Sequence, residues 1–216
     1  MVNEKIISTI KGAITDAAHI DMVKTPIAFS CEDGKMVMAG TVDSISIKRK
    51  ASLVAAGICP GVIDRLNVKP ASRMEDLEIA DHMQNILDEE YTLEGLPIEV
   101  KVGEGIVYLS GKVPSLAHKR LAEVLAWWVP GSLNVVNNIG VVPQENDSDD
   151  EINDTVKLVF EKDKLVRDGN IVVKVKDSIV TLSGIVKSTA AIGAAEDDVW
   201  YISGVNNVVN QLKVEK

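Results

Sequence analysis

Only two cysteines occur in 216 residues, too few for a disulfide framework and in keeping with a reducing compartment. Aromatic side chains make up 4% of the chain, which leaves little for base-stacking platforms. Basic residues are also in the minority, 23 against 32 acidic, giving a formal net charge of -9. A general nucleic-acid binder needs a basic footprint to displace phosphate counterions, so no nucleic-acid partner is expected. No apolar run approaches the roughly 20 residues of a membrane span. Near the N-terminus Ser8, Thr9 and Lys11 interrupt the apolar core that a secretory signal requires. With Met1 as the start, the expectation is a cytoplasmic protein. What remains is the composition of an ordinary globular chain, 46% hydrophobic and 25% charged.

The chain repeats itself. Val107-Tyr108-Leu109-Ser110-Gly111 matches Val180-Thr181-Leu182-Ser183-Gly184. Trp127-Trp128-Val129-Pro130-Gly131 matches Trp200-Tyr201-Ile202-Ser203-Gly204, and Asn134-Val135-Val136-Asn137 matches Asn207-Val208-Val209-Asn210. All three pairs share one offset, the signature of an internal repeat. A weaker copy precedes them, with Met36-Val37-Met38-Ala39-Gly40 and Cys59-Pro60-Gly61. The expected units are 1–71, which is divergent, then 72–143 and 144–216.

Each unit opens with apolar residues at helical spacing: Ile6, Ile10, Ala13 and Ile14; Ile79, Met83, Ile86 and Leu87; Ile152, Val156, Val159 and Phe160. Ser72-Arg73-Met74-Glu75 and Ser148-Asp149-Asp150-Glu151 have the form of capping boxes before the second and third stripes. The period then falls to two. Ile98, Val100 and Val102 alternate with polar neighbours, as do Ile171, Val173 and Val175, and a turn leads into a second short strand. Gly40, Gly111 and Gly184 are expected to let the backbone leave the sheet without a Cβ clash. A second helix and a last strand follow, the latter with Leu212 and Val214 as its inward pair. The fold class is therefore α+β: three tandem α-β-β-α-β units, each a small mixed sheet with two helices on one face.

The hairpin ending in Leu-Ser-Gly, the helix after it, the Pro-Gly or Ser-Gly and the Asn-rich last strand resemble the BON domain (bacterial OsmY and nodulation domain). The resemblance covers nearly the whole chain as three copies. The first departs from it, with Met-Ala-Gly for Leu-Ser-Gly and a shorter closing segment. It implies a non-catalytic binding module, associated with phospholipid or membrane surfaces in osmotic or envelope stress, and in some relatives with potassium binding. A protein-assembly or scaffolding module is the alternative, and small-ion sensing a third.

The residues themselves offer little chemistry. There is no Gly-x-Ser-x-Gly, and His19, His82 and His118 fall in unrelated contexts, so no catalytic residue is expected. Asp147, Asp149, Asp150, Glu151 and Asp154 form the one acidic cluster. It lacks the frame of a calcium loop and reads as acids favouring a helix N-terminus, so no metal and no cofactor is expected. Cys31 aligns with Val102 and Val175, and Cys59 with Val129 and Ile202; both read as small buried hydrophobes.

Three surfaces remain as candidates. Unit one has nine basic and seven acidic residues, whereas unit two has five and eleven and unit three nine and fourteen. Only unit one is suited to an anionic bilayer, and Lys48-Arg49-Lys50 is its single basic run, either a phospholipid site or a solvated helix face. Val37 and Ala39 lie on an uncharged outward sheet face that needs cover, from another unit or another subunit. Trp127-Trp128 and Trp200-Tyr201 close two equivalent helices. One of each pair is expected in the core and the other partly exposed, serving a neighbouring repeat, a protein partner or a homo-oligomer.

Overall fold

The computed structural model describes residues 4–18, 20–143 and 148–215. One element order is written three times. The first set is α1 (Glu4–Ala18), β1 (Ala28–Glu32), β2 (Lys35–Val42), α2 (Ile45–Ile58) and β3 (Ile63–Val68). The second is α3 (Asp76–Glu89), β4 (Ile98–Gly103), β5 (Ile106–Val113), α4 (Leu116–Trp128) and β6 (Asn134–Val141). The third is α5 (Asp149–Lys162), β7 (Asn170–Lys176), β8 (Ile179–Val186), α6 (Thr189–Tyr201) and β9 (Asn207–Val214). In every sheet the middle strand pairs antiparallel with its hairpin partner and parallel with the last strand. The parallel pair needs a crossover, and the second helix supplies it. Residues 1–69 and 70–216 form two compact units; the second contains both later sets.

The period-two residues line the helix side of each sheet. In the first set Met36, Met38 and Leu66 meet Ile10 and Ile14 of α1 and Ala51 and Ala55 of α2. In the second, Val107, Leu109 and Ile139 are buried with Ile79, Met83 and Leu121. Two expected core residues fall outside. Ile6 is exposed, and Ile7 packs on the core instead. Val214 is also exposed, near the open end of β9, while Leu212 is buried.

Serine caps start four helices. Ser44, Ser115, Ser148 and Ser188 are extended, and each side chain accepts from the amide three residues on. The expected cap at Ser72 is not realised. Its amide donates to Pro130 O at 3.0 Å, and Glu75 becomes the N-cap, with Glu78 Oε2 accepting from the Glu75 amide at 2.9 Å.

The glycines at equivalent positions of the three repeats do a different job from the one expected. Gly40, Gly111 and Gly184 lie inside β2, β5 and β8, which run on two residues further. At Gly111 φ is +129° and a Cβ would stand 1.9 Å from Pro97 O; at Gly184 φ is +120° and the distance to Asn170 O is 2.0 Å. The glycine lets the hairpin's first strand cross against the second at its entry, where no side chain fits.

Candidate functional site

The second helix of each unit is tied to its last strand by a polar clamp. Asn137 Nδ2 donates to Lys119 O (2.9 Å) and Glu123 Oε2 (3.2 Å), and Asn137 Oδ1 accepts from the Ile139 amide. Asn210 repeats this with Ile192 O, Glu196 Oε2 and the Leu212 amide. In the first unit Asp64 stands in the equivalent register, beside Met38 as Asn137 is beside Leu109 and Asn210 beside Leu182. Asp64 Oδ1 accepts from the Leu66 amide, Ser52 Oγ donates to Asp64 Oδ2, and Lys48 Nζ donates to Asp64 Oδ2 (3.0 Å) and Leu66 O (2.6 Å).

That clamp corrects the reading of the basic run. Lys48 is 6% exposed, with its ammonium turned inward, so it presents no charge to a bilayer. Burial pulls its pKa down, and the Asp64 carboxylate beside it partly offsets that. Arg49 and Lys50 are half-buried and each has a partner of its own. Of the two sheet-face residues, Val37 is buried at 2% exposure and Ala39 is half-buried.

The aromatic pairs meet one another inside the 70–216 unit. Trp127 and Trp200 are buried, and the Tyr201 ring stacks on Trp127 with centroids 5.7 Å apart and planes 15° from parallel. Trp128 is half-buried, and its Nε1 donates to Asp198 Oδ1 at 2.8 Å. Trp200 and Trp127 are the buried members, as expected of one residue in each pair, but both Trp127 and Trp128 meet the third repeat, so the first pair lies wholly at the seam. Every residue of α4 from Arg120 to Trp127 is buried, because one side of the helix covers its own sheet and the other faces the third repeat. Arg120 Nε reaches Ser203 O at 2.9 Å across the same seam.

Asp198 is the group the sequence did not reveal. It is 2% exposed, and its Oδ2 has no donor among the described residues. Burial pushes its pKa up to about 8, with the Asp163 carboxyl against it adding to the rise and the Trp128 N–H opposing it. Asp197 is pushed up to about 6, first by burial and then by Glu196. Also between the two repeats, Lys162 Nζ donates to Glu90 Oε1 (2.7 Å) and Thr92 Oγ1 and lies 3.7 Å from the Tyr91 ring centroid. Burial works against both charges, but the shared hydrogen bond prevails, lowering the Glu90 pKa and raising that of Lys162.

The acidic cluster is used locally. Asp149 accepts from the Asp177 and Ser178 amides of the β7–β8 turn, as Asp76 does from those of Glu104 and Gly105 in β4–β5. Both turns hold non-glycine residues at positive φ, and the carboxylate secures those amides. Asp147 and His19 lie outside the described residues. His118 Nδ1 pairs with the capping Ser115 hydroxyl, and His82 is exposed on α3. Cys31 is exposed beside the β1–β2 turn, contrary to expectation, and Cys59 is half-buried as the C-cap of α2. Among the described residues no group of three or more His, Cys, Asp or Glu is placed to hold a metal ion. Two small clefts of about 150 and 190 Å³ occupy equivalent places between first helix and hairpin, one around Leu87 and Ile98 and one around Phe160 and Ile171. No helix among the described residues is long and apolar enough to cross a membrane.

The chain can be compared with known proteins on this footing. The BON domain family model matches residues 75–143 and 148–216. Osmotically-inducible protein Y of Escherichia coli (strain K12) is 28% identical over 159 residues, covering 71% of this chain and 79% of that protein. Among solved structures, the C-terminal domain of CdsD, a structural protein of the type III secretion system of Chlamydia trachomatis, aligns over 95% of this chain and 96% of its own. The identity there is 16% and the TM-score 0.27. The periplasmic domain of the type III secretion inner-membrane protein PrgH from S. typhimurium aligns over 93% and 99%, with 12% identity and a TM-score of 0.25. Likenesses at that level carry no argument about function.

Proposed function

Because the chain belongs to the BON domain family, we propose that it is a non-catalytic protein-interaction module that acts in the response to osmotic stress. The family and the osmotically inducible relative support the setting. The observation that carries the mode of action is the aromatic seam: two BON units bind each other through Trp127, Trp128 and Tyr201, so unit-to-unit contact is what this fold already does here. Large aromatic area at low entropy cost is the usual means of protein–protein binding.

Phospholipid binding through Lys48, Arg49 and Lys50 is the competing reading, and the inward turn of Lys48 weakens it. Sedimentation with vesicles of phosphatidylglycerol separates the two. The protein is expected to stay in the supernatant, and replacing Arg49 and Lys50 by Glu to change nothing. Pelleting that those substitutions abolish would put lipid in place of protein as the partner. Potassium sensing is tested in the same samples by melting in potassium against sodium salts, since a ligand of the native state raises the transition by mass action.

A further inference from the structure

The outward face of the third sheet is unlike the rest of the chain. Register places Asn170, Ile185 and Lys213 in one row, Val172, Ser183 and Gln211 in the next, then Lys174, Thr181 and Val209, and last Lys176, Ile179 and Asn207. None of these positions is Asp or Glu. Three are lysines, and four are aliphatics, of which Val172 is 49% and Ile185 50% exposed. A face that is purely cationic and partly apolar is conspicuous in a chain of net charge -9.

The complement is on the same chain. Helix α3 carries Asp76, Glu78, Asp81, Asp88 and Glu89 and no Lys or Arg. Leu77, Asp81, Gln84 and Asp88 follow one another at helical spacing along its exposed side, and Leu77 is 80% exposed. One surface thus offers lysines around aliphatics, and the other carboxylates around a leucine.

We propose that the outward face of the third sheet docks the acidic helix α3 of a second copy of this chain, in a head-to-tail contact. This rests on the protein-interaction reading and names its partner. A contact between two different patches is heterologous, so it leaves one of each free and builds a ring or an open chain of copies. An anionic bilayer suits the arrangement less well. The three lysines sit on a repeat in which acids outnumber bases, so a membrane attracting them repels its surroundings. The acidic helix of another copy meets the patch locally.

Ionic strength then governs assembly. At about 0.01 M salt the Debye length is about 30 Å and whole molecules of net charge -9 repel each other; at about 0.1 M it is about 10 Å and the facing patches dominate; at about 1 M, about 3 Å, the patches are screened as well. Association is expected to peak near the middle value, a response matched to a change in osmolarity.

Sedimentation velocity of the full chain across that salt series, with and without phosphatidylglycerol vesicles, is the test. The expected result is species heavier than the 23.3 kDa monomer near 0.1 M, declining on both sides. Lys174→Glu with Lys213→Glu, and separately Asp81→Lys with Asp88→Lys, should each weaken association at least about tenfold while keeping the wild-type melting temperature. Mixing the two variants should restore it, because the swapped charges again oppose. A monomer at every salt concentration overturns the proposal and leaves the interaction reading with a foreign partner. Association that the swaps do not touch overturns the chosen faces. Vesicle binding through the lysine face by a monomeric chain overturns both readings.

Discussion

Lys48 and Asp64 lie 3.0 Å apart beneath the second helix of the first unit, and each makes the other's burial tolerable. Asp64→Asn would leave the buried ammonium with carbonyl acceptors and no countercharge, at a cost of about 3–5 kcal/mol. Lys48→Ile together with Asp64→Asn rebuilds the combination found in the third unit, Ile192 with Asn210, and should recover most of that loss. Urea denaturation of the full chain measures both; equal losses in the single and double variants would show that the pair is not coupled. At this scale the sequence was only half readable. The repeated Asn-Val-Val-Asn announced that Asn137 and Asn210 mattered. It did not announce that Asp64, three residues displaced by a shorter loop, takes their place and draws Lys48 inward. A basic triplet on a helix reads as surface because charge is normally solvated, and its partner is a strand residue sixteen positions away.

At the scale of elements, the tightest constraint is the crossing at Gly111. A methyl group there would meet Pro97 O, at a φ that alanine resists, so Gly111→Ala should lower stability by more than about 2 kcal/mol. The same change at Gly193, where nothing lies within 4 Å, serves as control and should stabilise or leave the helix unchanged. The repeat made these glycines visible, but not their purpose, because the collision is with a backbone oxygen from the start of the neighbouring strand. The junction of α4, α5 and α6 predicts a pH dependence. Asp198 binds its proton more tightly folded than unfolded, with a pKa raised from 3.8 to about 8. The folded state therefore holds more protons between those values, and stability falls as pH rises through them. Trp128, Asp163, Asp197 and Glu196 face or flank the group, and Asp197, raised to about 6, adds to the fall with the same sign. Chemical denaturation from pH 5 to pH 9 should show this decline, and Asp198→Asn should flatten it while gaining stability at the alkaline end. A slope unchanged by that substitution would remove Asp198 as its source. Nothing in the sequence marked this residue. Its pKa comes first from burial, and Asp163, which also raises it, lies 35 residues away on another helix, so no local pattern announces it.

For the whole molecule, the aromatic pairs join the two later repeats inside the 70–216 unit. Where the later repeats carry Trp-Trp and Trp-Tyr, the first carries Gly57-Ile58. Trp127→Ala should cost the 70–216 unit about 3–5 kcal/mol and shift its calorimetric transition downward, leaving that of 1–69 in place. A common shift of all transitions would mean the units melt as one. The α-β-β-α-β order and its threefold use were legible because period and offset are local properties of the chain. Which of the outward-facing groups end up covered was not, because that depends on what each repeat meets.

The clamp also separates the first copy from the other two. Tandem domains of like sequence risk exchanging parts while the chain is still emerging from the ribosome. Were α4 to settle on the first sheet, Glu123 would be pressed against the Asp64 carboxylate. That mispairing presses like charges together, so the polar contact sets the first copy apart from the other two, whose Asn–Glu clamps are alike.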